Sequence, residues 1–372
     1  MSAARSTLAS HLLRAWQTRG PTAWALRPLA ALYGALLRLR RWRYQCGHLH
    51  SVKLPVPVLV VGNVVVGGTG KTPTVAALVQ HLQARGWRPG IVSRGYGASG
   101  AGDAVHAVSL AQPQPHDGDE PRLLARLTGV PVWVGRNRVA AASALLQRHP
   151  EVNLIVSDDG MQHWPLARDL TIVVFDERGA GNGWLLPAGL LREPWPTPPF
   201  GDSTMLVLRN LRHNATHPGV APLHSPYPVF VAWRQLADHA IDRHGSRQPL
   251  QHWAPPPGSS APPALAALAA LAGIAQPEVF FDMLRAQGLV LQHTMALPDH
   301  ASDAELLSAL TAGCTWLCTE KDAVKLFPLL AQRPGAPEVW AVPLQQNPEP
   351  GFFAAVDACL EKLSSAHGRQ TT

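Results

Sequence analysis

One short stretch constrains this chain of 372 residues more than any other. A buried-strand pattern over Pro57–Val61 leads into a glycine-rich turn, and apolar residues then recur at helical spacing over 75–82. In such a turn the backbone N–H groups face phosphate oxygens at the positive end of the helix. The sequence therefore predicts a phosphate-binding loop made of Gly67, Gly68, Thr69, Gly70, Lys71 and Thr72.

The end of this loop predicts specific chemistry. Lys71 is expected to neutralise the β- and γ-phosphates of a nucleotide, and the Thr72 hydroxyl to bind Mg²⁺. A second acidic group is needed at a strand end, and Asp158 and Asp159 directly follow an apolar run. The loop departs from the usual spacing, which has a glycine where Val65 stands. We expect Mg²⁺ at Thr72, Asp158 and Asp159, without ranking the two aspartates.

The rest of the chain alternates strands and helices, which is typical of parallel βαβ units. A Pro/Ser-rich stretch at 248–263 reads as a linker or long loop, and shorter α/β elements follow it. The predicted fold is α/β, with a P-loop NTPase-type core and a mostly parallel sheet, a smaller C-terminal α/β domain and an N-terminal membrane-surface helix. The predicted parts are residues 1–50, 51–212 and 213–372.

The N-terminal third is strongly basic. Residues 1–102 carry 13 Lys and Arg and no acid, whereas the remainder carries 19 basic and 25 acidic residues. Apolar residues, flanking Trp and a cluster of Arg over 22–44 favour a helix lying on anionic lipid. A helix packed on the protein's own core, or a transit peptide, are the alternatives. The longest uncharged run there is Pro28–Leu37, far short of the roughly 20 residues of a membrane span.

Two classes of phosphate-loop protein fit these features. Partition-type and metal-insertion ATPases carry a lysine directly before the paired glycines, where this chain has Val66. The other class is a kinase for a small molecule or a lipid. The four cysteines form no CxxC pair, and the remaining His and Cys residues show no metal-ligand spacing.

Several separate strings, in order over roughly residues 55–330, carry a resemblance to one family. They are Val61–Pro73, Ser93–Gly97, Gly118–Pro121, Gly135–Arg138, Ser157–His163, Leu166–Asp169, Gly181–Gly183, Leu186–Gly189, Leu191–Pro194, Ala272–Ile274, Pro298–His300 and Thr319–Lys325. This ordered set resembles the tetraacyldisaccharide 4′-kinase family, which acts in lipid A biosynthesis.

The resemblance implies transfer of the γ-phosphoryl group of ATP to the 4′-hydroxyl of tetraacyldisaccharide 1-phosphate, with Mg²⁺, giving lipid IVA. It implies a peripheral or monotopic enzyme at the cytoplasmic face of the bacterial inner membrane, held there by its N-terminal region. Asp119 matches the family's candidate catalytic base and His300 its partner. The residues after His300, Ala301-Ser-Asp303, depart from the family pattern. Because Asp119 and His300 flank the linker, we expect the two parts to close together.

Four further residues are candidate substrate contacts, each with a structural role as the alternative: Arg94, Gln162, His163 and Arg192. Other functions also stay open at this point. One is a membrane-associated P-loop ATPase that drives a partner protein. A nucleic-acid ATPase fits less well, because the basic residues are interleaved with Leu and Trp at helical spacing. We therefore expect a lipid substrate and a membrane surface as partners, and no nucleic acid.

Overall fold

The structure is a computed structural model. It describes residues 16–95, 105–110, 114, 116–212, 221–255, 267–299, 301–333 and 335–368, with side chains up to residue 363. The predicted residues His300, Tyr96 and Gly97 lie outside the described residues.

The described helices are short, apart from one near each end of the chain. In chain order they are α1 Pro21–Ala25, α2 Arg27–Gln45, α3 Lys71–Ala84, α4 Asp119–Thr128, α5 Arg138–Arg148, α6 Pro277–Ala286, α7 Asp303–Ala309, α8 Glu320–Ala331 and α9 Pro350–Gly368, with a 3₁₀ turn at Leu250–Trp253. The strands are β1 Val58–Gly62, β2 Pro89–Ser93, β3 His106–Ala107, β4 Val132–Val134, β5 Leu154–Asp158, β6 Leu170–Phe175, β7 Thr204–Arg212, β8 Val229–Leu236, β9 His239–Ile241, β10 Arg247–Pro249, β11 Ala267–Ala272, β12 His293–Ala296, β13 Cys314–Thr319, β14 Glu338–Val342 and β15 Leu344–Pro348.

The larger sheet carries the phosphate loop. Within the described ranges its order is β15-β8-β7-β6-β1-β5-β2-β4-β3, and only the outermost pairs, β15–β8 and β3–β4, are antiparallel. Every residue of β1 is buried, as expected for a parallel strand covered on both faces. Leu59 and Val61 pack with α3, α4 and α9 on one face, and Val58 and Val60 pack with α5 on the other.

The smaller sheet has the order β10-β9-β14-β13-β11-β12 among the described residues. Its four strands β11 to β14 are parallel, and β9 and β10 add an antiparallel edge. The expectation of an α/β fold with mostly parallel sheets is confirmed.

Two segments that follow the expected boundary at residue 213 lie on the larger sheet. Strand β8 pairs with β7, and β15 pairs with β8 after the chain has built the smaller sheet. Helix α9 then covers the larger sheet with Phe352, Val356 and Leu360, which are buried. The chain therefore crosses between the sheets twice, once after Leu236 and once before Leu344.

Helix α2 has two different faces. On one, Ala30 and Gly34 are buried and the Tyr33 hydroxyl donates to the carbonyl oxygen of Arg192 at 2.8 Å. On the other, four leucines are between 52% and 60% exposed: Leu29, Leu32, Leu36 and Leu39. The helix is thus packed on the protein's core and also presents an apolar stripe outward. No helix in the described part of the chain is both long enough and apolar enough to cross a membrane.

Candidate active site

The phosphate loop joins β1 to α3. Gly70 precedes the helix with φ 81°, a left-handed conformation that glycine adopts readily, and a Cβ there would lie 2.6 Å from the Asn210 side chain. Lys71 begins the helix, so the N–H groups of the first turn face the loop. Val65, which stands where a glycine was expected, is fully buried and bridges to Leu191. A hydrophobic anchor therefore replaces the usual first glycine.

Two buried amides from distant strands hold the loop from below. The Asn210 amide on β7 donates to the carbonyl oxygens of Thr69 at 2.8 Å and Gly70 at 3.2 Å. Gln346 on β15 donates to Asn210 Oδ1 at 2.6 Å and to Thr74 Oγ1 at 2.9 Å. Strand β15 therefore completes the support of the loop, although more than 270 residues separate Gln346 from Thr74 in sequence.

The two predicted aspartates lie where β5 ends, beside the loop. Asp158 is the last residue of β5, in register with Val61 of β1, and is buried. Asp159 has φ 47°, and its Oδ1 lies 3.6 Å from Lys71 Nζ and 3.4 Å from Arg192 Nη1. The structure thus brings Lys71, Asp159 and Arg192 into one charged group. Arg192 pairs with Asp159 here, in addition to its contact with Asn63 at 3.1 Å.

The electrostatics of the two aspartates differ. Burial raises the pKa of Asp158 to about 7, and the charges of Glu120 and Asp159 add to this rise. Burial also opposes ionisation of Asp159, but Lys71, Arg192 and Arg138 together hold its pKa below the ordinary value. Asp158 accepts from Ser93 Oγ at 3.1 Å through Oδ2, whereas its Oδ1 is buried with no hydrogen-bond partner. A bare buried carboxylate oxygen next to Asp159 in the chain fits a hard cation such as Mg²⁺.

Asn63, which the sequence analysis did not single out, links the parts of this site. It donates to Thr69 Oγ1 at 3.1 Å, accepts from Arg192 through Oδ1, and its carbonyl accepts from Gln162 Nε2 at 3.0 Å. Gln162 therefore orients the loop. Its own carbonyl accepts from Arg40 of helix α2 at 3.0 Å, which connects the N-terminal helix to the site.

The other predicted contacts flank this cluster. Arg94 is exposed just beyond β2. His163 is half-buried, and burial together with the charges of Arg138 and Arg168 lowers its pKa to about 4. The imidazole is therefore neutral near pH 7. Arg138 is buried and donates to the Asp159 carbonyl at 3.3 Å.

Arg178 is a further cation at the loop that sequence reasoning missed. A Cβ added to Gly67 would lie 3.3 Å from both terminal nitrogens of its guanidinium. Asp176 fixes the group, accepting from Arg178 Nε at 2.9 Å through Oδ2 and lying 2.8 Å from Nη2. In the sequence, Arg178 belongs to an Asp-x-Arg pattern directly after strand β6. This pattern is not a recognised phosphate-binding motif, so it did not point to the loop.

Asp119 is the first residue of α4 and is buried. Lys325 of α8 places its Nζ 2.9 Å from Asp119 Oδ2 and also donates to the carbonyl oxygen of Ala301 at 3.0 Å. Helix α8, which packs on the smaller sheet, therefore contacts the predicted base directly. Asp322 is engaged elsewhere, since it accepts from the Gly273 N–H at 3.0 Å and from the Thr319 hydroxyl at 2.6 Å.

A cavity of about 260 Å³ opens between the loop and the smaller sheet. Its polar end is the phosphate loop, from Gly68 to Pro73. Its wall is mainly apolar and is formed by strands and helices that belong to both sheets or pack on them. The apolar residues are Leu123, Leu127, Leu236, Ile274, Val279, Phe280 and Met283. The cavity can take a flat apolar group attached to a phosphate chain.

A larger cavity, of about 720 Å³, lies at the opposite edge of the larger sheet. It is bordered by Val58, Asp169 and Thr204, at the amino ends of three parallel strands. Ligands of open α/β sheets bind at the carboxyl ends. The smaller cavity at the loop is therefore the candidate active site.

The family model described as tetraacyldisaccharide-1-P 4′-kinase matches residues 22–361. The chain belongs to the tetraacyldisaccharide 4′-kinase family. Proteins named tetraacyldisaccharide 4′-kinase from Polaromonas naphthalenivorans and from Polaromonas sp. strain JS666 are 50% and 49% identical to it. These alignments cover 97% and 96% of this chain and 99% and 100% of the relatives.

A solved structure of a tetraacyldisaccharide 4′-kinase family member has the same fold. It is the LpxK of Aquifex aeolicus in complex with ATP, with a TM-score of 0.70 and 26% sequence identity, covering 91% of this chain and 99% of that one. The resemblance inferred from the sequence strings is confirmed, as is the expectation that the chain is a kinase with a P-loop kinase fold.

Proposed function

We propose that this kinase transfers the γ-phosphoryl group of ATP to the 4′-hydroxyl of tetraacyldisaccharide 1-phosphate. The observation that supports this best is the cleft itself. Lys71 of the loop lies beside Asp159, and the first turn of α4, which begins with Asp119, borders the same cavity through Glu120. Lys325 of α8 pairs with Asp119. The choice of acceptor rests on the name that the relatives share, tetraacyldisaccharide 4′-kinase.

ATP binds with its phosphates in the loop and its base in the apolar cavity. Lys71 and Arg178 supply positive charge at the loop, and the backbone N–H groups from Gly67 to Thr72 donate hydrogen bonds to the phosphate oxygens. Thr72, Asp158 and Asp159 hold Mg²⁺. When bound, the ion neutralises charge on the β- and γ-phosphates.

Asp119 orients the acceptor hydroxyl and takes its proton. As the hydroxyl oxygen bonds to the γ-phosphorus, the bond to the ADP oxygen breaks and the hydroxyl proton passes to the Asp119 carboxylate. His300 is proposed to receive that proton from Asp119. Arg94, His163 and Arg192 are proposed contacts to the sugar or its phosphate.

The enzyme reaches its acylated substrate by lying on the membrane surface. The apolar stripe of α2, defined by Leu29, Leu32, Leu36 and Leu39, inserts among the lipids. The exposed Arg38 and Arg43 of this helix face anionic headgroups. Arg40 then connects this helix to Gln162 at the site. The proposed location is the cytoplasmic face of the inner membrane, where ATP is available.

A transfer assay tests the proposal against the rival partner-driven ATPase. The purified chain in detergent is mixed with Mg²⁺, γ-labelled ATP and tetraacyldisaccharide 1-phosphate. We expect label in the lipid with the wild type and none with Lys71→Ala. Lys362 is exposed on α9, so Lys362→Ala is the matched control and should transfer label to the lipid as the wild type does. Label released only as inorganic phosphate would favour the rival.

A further inference from the structure

A second cluster of ligand-type side chains lies at the edge of the larger sheet, away from the phosphate loop. His106 is on edge strand β3, and His116 and Asp117 are in the turn before α4. One imidazole nitrogen or carboxylate oxygen from each lies within 4.8 Å of the other two. It is the one such group of His, Cys, Asp and Glu found in the described ranges. Nine residues separate the two histidines, which is longer than the usual spacing of three to five in zinc sites.

The carboxylate of Asp117 is fully buried and only half satisfied. Its Oδ2 accepts from the backbone N–H of Gln114 at 2.8 Å, which fixes the side chain. Its Oδ1 is directed at His106 and makes no hydrogen bond. A buried carboxylate oxygen without a partner is costly, so its persistence in the fold indicates a ligand.

A simple His–Asp hydrogen bond does not explain the arrangement. Nε2 of His106 lies 3.2 Å from Asp117 Oδ1, yet neither atom makes a hydrogen bond, and Nδ1 of His106 has none either. The His116 ring stands edge-on to His106, with the ring centroids 4.4 Å apart and the planes at 83°. Three ligand groups therefore converge, and the polar atoms of His106 and the Asp117 Oδ1 atom stay without a hydrogen bond.

We propose that His106, His116 and Asp117 bind one divalent transition-metal ion, with Zn²⁺ as the best fit. Two imidazoles and one carboxylate are a common Zn²⁺ ligand set, and water can take a fourth position. Two ligands at about 2.0–2.1 Å from a tetrahedral ion are separated by roughly 3.3 Å, close to the His106–Asp117 distance. The hydrogen bond from Gln114 to Oδ2 orients the carboxylate as an outer-shell contact does.

The ion would act as a cross-link. It joins strand β3, which pairs with β4 through His106 and Ala107, to the turn that begins α4. Asp117 is two residues before Asp119, and Gly118 between them has φ 81°. The metal site therefore fixes the turn that presents Asp119 without touching substrate.

Metal binding by the full chain tests this without any reading of kinase activity. The apoprotein, kept in excess Mg²⁺ to fill the phosphate-loop site, is titrated with Zn²⁺ against a chromophoric chelator. We expect one tight equivalent in the wild type and in His293→Gln, which changes an exposed histidine. His106→Gln and His116→Gln should each lose at least about tenfold in affinity. Unchanged affinity in both variants, or no tight equivalent in the wild type, would overturn the site.

X-ray absorption at the zinc edge of the wild type keeps the test valid if the variants fold poorly. Two imidazole nitrogens and oxygen ligands are expected around the ion. Sulfur ligands, which the four cysteines could supply, or an ion coordinated by oxygen alone, would contradict the assignment.

Discussion

Lys325 and Asp119 form an ion pair of 2.9 Å between the two sheets, with Lys325 on α8 and Asp119 at the first position of α4. The same ammonium donates to the carbonyl of Ala301 at 3.0 Å. The proposed base is thus positioned by a residue of a helix that packs on the other sheet. We therefore expect the closing of the cleft and the orientation of the acceptor hydroxyl to depend on this contact.

Replacing Lys325 with Met should separate turnover from nucleotide binding. We expect kcat to fall by at least about tenfold, since small displacements of a catalytic group are costly, with the KM for ATP almost unchanged. Steady-state kinetics with both substrates measure this. Lys362→Met removes an exposed lysine from α9 and serves as control. If both variants behave alike, Lys325 does not position Asp119.

Gln346→Ala should destabilise the fold and loosen the support of the phosphate loop. The change removes the Gln346 donor to Asn210 Oδ1 and the shorter of two amide hydrogen bonds to Thr74 Oγ1. Losing a buried donor costs about 1–3 kcal/mol of unfolding free energy. The KM for ATP should rise in parallel. Gln345→Ala, on the neighbouring exposed residue of β15, should change neither the denaturation midpoint nor the KM. Equal stability of the two variants would refute the supporting role of Gln346.

His163 should make the fold sensitive to mild acid. Its pKa is about 4 in the folded chain, against an ordinary value of 6.5, because burial and neighbouring arginines oppose its charge. As the pH falls from above 6.5 towards 4, the unfolded chain takes up this proton first, so stability is lost across that window.

The comparison of His163→Gln with wild type isolates this effect. The variant should lose less unfolding free energy than wild type between pH 7 and pH 4, measured by denaturant titration at each pH. His293→Gln, at an exposed histidine, should track the wild type. Parallel pH profiles for all three proteins would mean that His163 is not held neutral by the fold.

The apolar stripe of α2 should control membrane binding. We expect Leu32→Glu together with Leu36→Glu to reduce sedimentation with anionic phospholipid vesicles several-fold, because charged groups replace exposed apolar ones at the interface. Val290→Glu, an exposed apolar site on the smaller sheet's side, should bind as the wild type does. Unchanged binding of the α2 variant would place the membrane contact elsewhere.

The sequence predicted the parallel core well because its signals are local. Strand β1, the glycine-rich turn and helix α3 are adjacent in the chain, and Asp158 follows an apolar run. Strand β15 was missed because Leu344–Pro348 is a polar edge strand in which only Gln346 is buried. Its role depends on pairing with β8, which no local pattern reveals.

The sequence did not reveal several polar residues of the candidate site, and the reason is different from that for β15. Asn210, Gln346 and Lys325 are single polar residues whose partners lie far away in sequence. Arg178 lies at Gly67 only because β6 and β1 are neighbours in the sheet. Such contacts follow from strand order, and strand order is a property of the whole fold rather than of any segment.

The position of the transferred phosphate is the most direct test of the proposed reaction. Lipid product from wild type, Lys71→Ala and Asp119→Asn would be analysed by ³¹P–¹H correlation NMR. We expect a new phosphate monoester at the 4′ carbon with wild type, none with Lys71→Ala, and product formed more slowly by about 10²–10⁴ with Asp119→Asn. A phosphate at another carbon, or ATP consumed with no phosphorylated lipid, would contradict the proposed reaction.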